Sequence, residues 1–92
     1  MIRSFRDKNL RRLFETGERR KLPPPDVERI ENILFLLSQA SAPQDMDLPG
    51  LRLHSLKGDR KGYWAVTVRA NWRIVFRFED GDVHDVDFLD YH

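Results

Sequence analysis

Apolar positions along the chain follow a helical period first and a strand period afterwards. Over residues 8–16, Leu10, Leu13 and Phe14 stand at i, i+3 and i+4, with Lys8, Arg11, Arg12 and Glu15 on the other side and Gly17 as a stop. This predicts a short amphipathic helix. Pro23, Pro24 and Pro25 are extended and lead into a second helix, since proline is tolerated in a first turn. Asp26, Glu28 and Glu31 suit the positive end of that helix's dipole. Its buried stripe is Val27, Ile30, Leu34 and Leu37, reinforced by Ile33 and Leu36, and it fades near Ala40. Residues 41–50 hold two prolines and a glycine without periodicity and are predicted to be a loop.

Downstream the period drops to two. Residues 51–56 are predicted to form a first short strand. Residues 63–69 alternate Trp64, Val66 and Val68 against Tyr63, Ala65, Thr67 and Arg69. Residues 72–78 alternate Trp72, Ile74, Phe76 and Phe78 against Arg73, Val75 and Arg77. Asp80-Gly81 is a hairpin signal. A plain two-residue turn there sets Ile74 against Asp87 and Phe76 against Asp85, which spends core positions on carboxylates. A bulged three-residue loop sets Ile74 against Val86, Trp72 against Phe88 and Arg73 against Asp87, so the bulged form is expected. Even positions 64–88 then pack under the helices. Odd positions form an open face bearing Tyr63, Arg69, Arg73, Arg77 and Tyr91. His84 falls on the core side near Phe76 as a packing residue, Trp64 and Trp72 are core aromatics, and the acids of the last strand are solvated groups on a sheet edge.

At 92 residues the chain makes one domain, residues 1–92, with room for one helical layer on one sheet. It has no cysteine, which removes disulfides and thiolate chemistry and fits a reducing, cytoplasmic setting. The N-terminal residues lack the apolar run of a signal peptide, and no apolar run is long enough for a membrane span. The net charge of +1 hides a pattern. Residues 1–21 and 52–77 are basic blocks, and 22–51 and 78–92 are acidic ones. The second basic block interleaves Tyr63, Trp64, Arg69, Trp72, Arg73 and Arg77, a plausible polyanion footprint against which stands a solvated face of cancelling charges.

Two clusters carry chemistry. One is Asp90-Tyr91-His92, ionisable groups following an apolar strand. The other is His54-Ser55-Leu56-Lys57-Gly58-Asp59-Arg60. RNA cleavage needs a group that takes the 2′-hydroxyl proton, cations that stabilise charge on the phosphate, and a group that protonates the leaving 5′-oxygen. Histidine suits both proton roles with an ordinary pKa of about 6.5, arginine and lysine make the clamp, and tyrosine orients or stacks. No histidine spacing resembles a zinc site, the acids Asp82, Asp85, Asp87 and Asp90 split between two faces, and no glycine-rich phosphate loop exists. No metal and no cofactor is therefore expected. The strand is expected to end near Leu89, with the tail turning so that Asp90 and His92 join Tyr91. An α-carboxylate beside His92 favours its protonated ring, which suits a general acid, leaving His54 or Tyr91 for the 2′-hydroxyl side.

The opening Met1-Ile2-Arg3-Ser4-Phe5, the run Leu53-His54-Ser55-Leu56-Lys57-Gly58-Asp59-Arg60, Tyr63-Trp64, Val68-Arg69-Ala70-Asn71-Trp72-Arg73-Ile74, Gly81-Asp82 and Asp90-Tyr91-His92 together resemble the HigB-type host-inhibition-of-growth toxins of the RelE superfamily. The resemblance runs essentially end to end. It implies an α+β fold, RelE-like, with two N-terminal helices packed on a curved, mainly antiparallel sheet. It implies a toxin of a type II toxin–antitoxin system, a ribosome-dependent endoribonuclease that cuts mRNA in the decoding (A) site of the 30S subunit. It also implies a cognate helix-turn-helix antitoxin, through which alone operator DNA is contacted. On the family's positions the catalytic residues are His54, Asp90, Tyr91 and His92, and the RNA or phosphate ligands are Lys57, Arg73 and, nearby, Arg69. The basic stretch from Arg3 to Lys21 is a candidate for ribosomal RNA contacts. Two other readings remain open: a gyrase-poisoning toxin on the same fold, and a non-enzymatic RNA- or DNA-binding regulator.

Overall fold

The computed structural model describes residues 1–91; His92, placed by sequence in the catalytic set, lies outside the described residues. Two helices, α1 (Lys8–Thr16) and α2 (Val27–Gln39), precede the strands β1 (His54–Ser55), β2 (Trp64–Arg69), β3 (Trp72–Glu79) and β4 (Asp82–Asp90). The strands form one antiparallel sheet in chain order. Leu10, Leu13, Ile30, Ile33, Leu34 and Leu37 of the helices share a core with Val66, Ile74, Phe76, Val83 and Val86 of the sheet.

Both helices follow from their sequences. Asp7 caps α1, its carboxylate accepting the Asn9 and Leu10 amides at 2.8 and 2.9 Å. Gly17 closes it at φ +79°, a left-handed conformation that costs glycine nothing, and donates to the Leu13 carbonyl. In α2 the 3-10 turn Pro24–Asp26 winds the chain into the helix, which buries Val27, Ile30, Ile33, Leu34 and Leu37. The loop expected over 41–50 contains a further 3-10 turn, Pro43–Met46, that buries Met46 completely. The strand expected over 51–56 shrinks to two residues because Arg52 sits at φ +55° and breaks the extended backbone.

The pairing of β3 with β4 differs from the bulged loop expected at the hairpin tip. The tip is a tight two-residue turn, with Glu79 opposite Asp82, Phe78 opposite Val83 and Arg77 opposite His84. The extra residue enters further along, at Asp85, whose φ is +55°. Past it, Val75 faces Asp87, Ile74 faces Phe88, Arg73 faces Leu89 and Trp72 faces Asp90. This is two residues from the expected register, so the face assignment survives beyond the bulge and apolar still meets apolar; the Trp72 and Phe88 rings stack at 4.7 Å. Before the bulge it fails. Val83 enters the core, and His84 stands on the open face across from Arg77, its Nε2 3.9 Å from a Glu79 carboxylate oxygen, instead of packing under Phe76. The expected Arg73–Asp87 pair does not form.

Strand β4 is not an edge. Residues 1–6 run parallel beside it, bridging Ile2 to Val83 and Phe5 to Val86. The Arg3 amide donates to Val83 at 2.7 Å, Arg6 to Val86 at 2.8 Å, and Val83 to Met1 at 2.9 Å. Asp82, expected to be merely solvated, pairs with Arg3 at 2.9 Å and with the N-terminal ammonium at 3.4 Å.

A second irregularity, between Thr67 and Arg69, moves Arg69 off the open face and sets it opposite Trp72 on the helix side. There its guanidinium meets Asp26 in a two-pronged pair at 2.7 and 3.1 Å. Asp26 is the buried acid at the start of α2, 3% exposed. Arg29 adds bonds to the Gly50 and Thr67 carbonyls. Together these fasten α2 to the end of β2. Arg69→Ala strands a buried carboxylate and should lower the thermal midpoint by roughly 5 °C or more, whereas Arg12→Ala on the exposed side of α1 should not. Equal midpoints for the two variants would show that the Asp26 pair contributes nothing to stability.

Candidate active site

The face turned away from the helices is built by β1 to β4 at positions that alternate out of the core. His54 lies opposite Ala65, Ala65 opposite Val75, and Val75 opposite Asp87. In the neighbouring row, Thr67, Arg73 and Leu89 align. Ala65 and Val75 have no exposed surface although they are not members of the main core. They form a covered apolar floor flanked by His54 on one side and by Arg73 and Leu89 on the next row. Alternation marks these positions as non-core but gives no sign that they are buried.

His54 is exposed, and its Nδ1 lies 3.0 Å from the Arg52 carbonyl oxygen. A carbonyl only accepts, so in the neutral ring the hydrogen sits on Nδ1 and Nε2 keeps its lone pair. That tautomer is the one a general base needs. Lys57 is exposed at the start of the 3-10 turn Gly58–Arg60, in the loop joining β1 to β2.

Arg73 and Tyr91 are brought together by the two-residue turn Ala70-Asn71. The Arg73 guanidinium donates to the Ala70 carbonyl at 2.6 Å and to the Trp72 carbonyl at 3.2 Å. The Asn71 carbonyl accepts the Tyr91 amide at 2.7 Å. Ala70 holds φ +50°, an uncommon conformation for a residue with a Cβ. Arg73 thus spends one nitrogen on backbone acceptors and keeps its remaining donors for an anion. From β1 to β3 is two strand spacings, roughly 10 Å, so His54 and Arg73 stand on opposite sides of the floor.

The tail does not turn at Leu89. Strand β4 continues through Asp90, and the Tyr91 amide extends the pairing. Asp90 lies opposite Trp72, on the helix side of the strand end, while Leu89 faces the Arg73 side. Of the seven site residues read from sequence, the open face holds His54 and Arg73, with Tyr91 tied to the turn beside Arg73. Lys57 belongs to the adjoining loop, Asp90 is on the reverse side, and Arg69 is engaged with Asp26.

Asp85 is a centre that the sequence reading missed. It accepts from Arg77 Nε at 2.8 Å, from the Tyr63 hydroxyl at 3.2 Å and from the Ser4 hydroxyl at 3.3 Å, while its own amide donates to Ser4 Oγ at 2.8 Å. A left-handed Asp in a strand has no sequence signal beyond the failure of simple alternation at Val83. The Arg77 guanidinium, with help from Tyr63 and Ser4, holds the Asp85 carboxyl below its ordinary value of 3.8, and Arg3 does the same for Asp82. A carboxyl with a lower pKa folded than unfolded contributes stability above the unfolded value and loses it as pH falls through the folded one. The thermal midpoint should therefore drop on acidification below about pH 4. Asp85→Asn should be less stable than the wild type at neutral pH, with the gap closing as the pH is lowered. A gap that stays constant from neutral to acid would mean that charge on Asp85 plays no part.

Among the described residues no helix is long and apolar enough to cross a membrane. The chain matches, over residues 3–92, a family described as the RelE-like toxin of the type II toxin–antitoxin system HigB. It is 46% identical to the "Endoribonuclease HigB" of Proteus vulgaris, with both chains covered in full. It is 34% identical to the "Toxin HigB-1" of Vibrio cholerae serotype O1, covering all of this chain and 98% of that one. Among solved structures it resembles a histidine-to-glutamine mutant of YafQ from E. coli, at TM-score 0.60 and 18% identity, over 95% of this chain and 89% of the other. That likeness concerns the fold.

Proposed function

Because this chain belongs to the HigB-like family of RelE-like toxins, we infer that the open sheet face bearing His54, Arg73 and Tyr91 is where it cuts mRNA on the ribosome. The protein is an endoribonuclease toxin of a type II toxin–antitoxin system, and an antitoxin is its partner. The finer reading is that cleavage takes place on translated mRNA in the 30S decoding site, in the cytoplasm. The antitoxin is of helix-turn-helix type and makes the operator contacts.

The single observation that carries this reading is the Ala70-Asn71 turn, which holds a guanidinium with no carboxylate partner among the described residues beside the backbone of Tyr91. In the proposed reaction His54 Nε2 takes the 2′-hydroxyl proton. The resulting alkoxide attacks phosphorus while Arg73, with Lys57, stabilises the charge that builds on the phosphoryl oxygens. The P–O5′ bond breaks as His92 gives its proton to the leaving oxygen, leaving a 2′,3′-cyclic phosphate. Tyr91 orients or stacks on the nucleotide, and Asp90, on the reverse side of the strand, takes no direct step. Arg69 is assigned to the fold through Asp26, not to the RNA.

Single-turnover cleavage of mRNA on programmed ribosomes tests the assignment. His92→Gln should lower the rate by at least about a hundredfold, the lower range for losing a general acid. Arg73→Ala should lower it by about a hundredfold or more, the scale of one lost transition-state donor, with little change in thermal midpoint because its partners are backbone carbonyls at the surface of a turn. A His92→Gln rate within about threefold of wild type, less than 1 kcal/mol of barrier, would remove His92 from the proton-donor role. Equally fast cutting of the same transcript without ribosomes would remove the ribosome from the reading.

A further inference from the structure

Beyond the His54–Arg73 region, the same face ends in a polar cavity of about 320 Å³ lined by Arg6, Asp59, Arg60 and Tyr63. Arg6 comes from the N-terminal segment beside β4, and Arg60 from the loop between β1 and β2. Neither guanidinium has a carboxylate partner among the described residues. By contrast Arg3, Arg19, Arg20, Arg69 and Arg77 are each paired. Tyr63 is fixed there because its hydroxyl donates to Asp85, itself held by Arg77. Two convergent, unpaired guanidiniums beside an immobilised aromatic ring are the chemistry of a phosphate with an adjacent base.

We propose that the Arg6–Arg60 cavity is a second RNA-backbone subsite, taking a phosphodiester other than the one held at Arg73. The inference rests on the reading of the His54–Arg73 face as a ribonuclease site. Arg73 and Arg77 are four residues apart on β3, a span of about 13 Å, and the cavity borders the Arg77 end through Tyr63 and Asp85. Arg73 and the cavity therefore hold different phosphates, and the strand between them crosses the floor of Ala65 and Val75. Asp59 opposes the anion. Its carboxylate makes the site selective for a ligand that engages both arginines at once, since an anion meeting only one of them gains less against its repulsion.

The test measures binding of a single-stranded RNA bearing 2′-O-methyl groups, which cannot be cleaved by 2′-hydroxyl attack, and separately of 30S subunits without mRNA. Arg6→Gln and Arg60→Gln should each weaken binding several-fold, and each should flatten the dependence of log affinity on log salt by about 0.7 for the oligonucleotide. Arg20→Gln, whose guanidinium is already paired with Glu18, should change neither. Asp59→Asn should tighten binding, which loss of structure does not do. Loss confined to the oligonucleotide assigns the phosphate to the substrate strand, and loss confined to 30S subunits assigns it to ribosomal RNA; either supports the subsite. Unchanged affinity and salt slope in both arms for Arg6→Gln, Arg60→Gln and Asp59→Asn would overturn it. Arg73→Ala cleavage on programmed ribosomes, run in parallel, separates the failures. If it cuts like wild type, the reading of the His54–Arg73 face is at fault, and if it is inactive while the cavity variants bind normally, the subsite alone is wrong.

Discussion

The left-handed backbone of Asp85 is the constraint on which the rest depends. One extra residue at this point shifts the end of β4 along β3, so that Phe88, Leu89 and Asp90 meet Ile74, Arg73 and Trp72. Only in that register does the Tyr91 amide reach the Asn71 carbonyl. A non-glycine residue at positive φ in a strand is costly, and here the cost is offset by four hydrogen bonds, to Ser4, Tyr63 and Arg77. Those partners come from the N-terminal segment, β2 and β3. The bulge is thus both the origin of the register and the knot that ties three parts of the chain.

The helices were legible because their signals are local. The period of Leu10, Leu13 and Phe14 and a terminating Gly17 lie within one short stretch, and the range 8–16 follows from them. The two faces of the sheet were legible wherever alternation is unbroken. Alternation cannot say where an extra residue enters a ladder. Placing it at the hairpin tip or at Asp85 gives the same faces for Ile74 and Phe88 but opposite faces for Val83 and His84. The parallel pairing of residues 1–6 with β4 carried no signal, since the segment is short and bears Arg3 and Arg6.

The site was half legible for the same reason. Residue types and their resemblance to a family named His54, Arg73 and Tyr91, but which of them share a face is a matter of register. Arg69 shows the limit most plainly. Its parity in the sequence puts it beside Arg73, yet one irregularity before it turns it to Asp26. An arginine in a basic strand reads as a ligand for phosphate until the buried acid that claims it is located in another element. The floor of Ala65 and Val75 was hidden because full burial on a non-core face is a tertiary outcome.

The pairing of residues 1–6 with β4 has a bearing on biosynthesis. Residues 1–6 find their strand partner only after Val83 and Val86 exist, with 79 and 81 residues separating the side-chain pairs Arg3–Asp82 and Ser4–Asp85. Such long-range closure comes late in folding because its entropy must be met before its contacts form. The register-setting Asp85 and the Tyr91 it positions belong to the same late-made stretch. A nascent copy therefore has no assembled site face until residues 83–91 have been made and joined by residues 1–6.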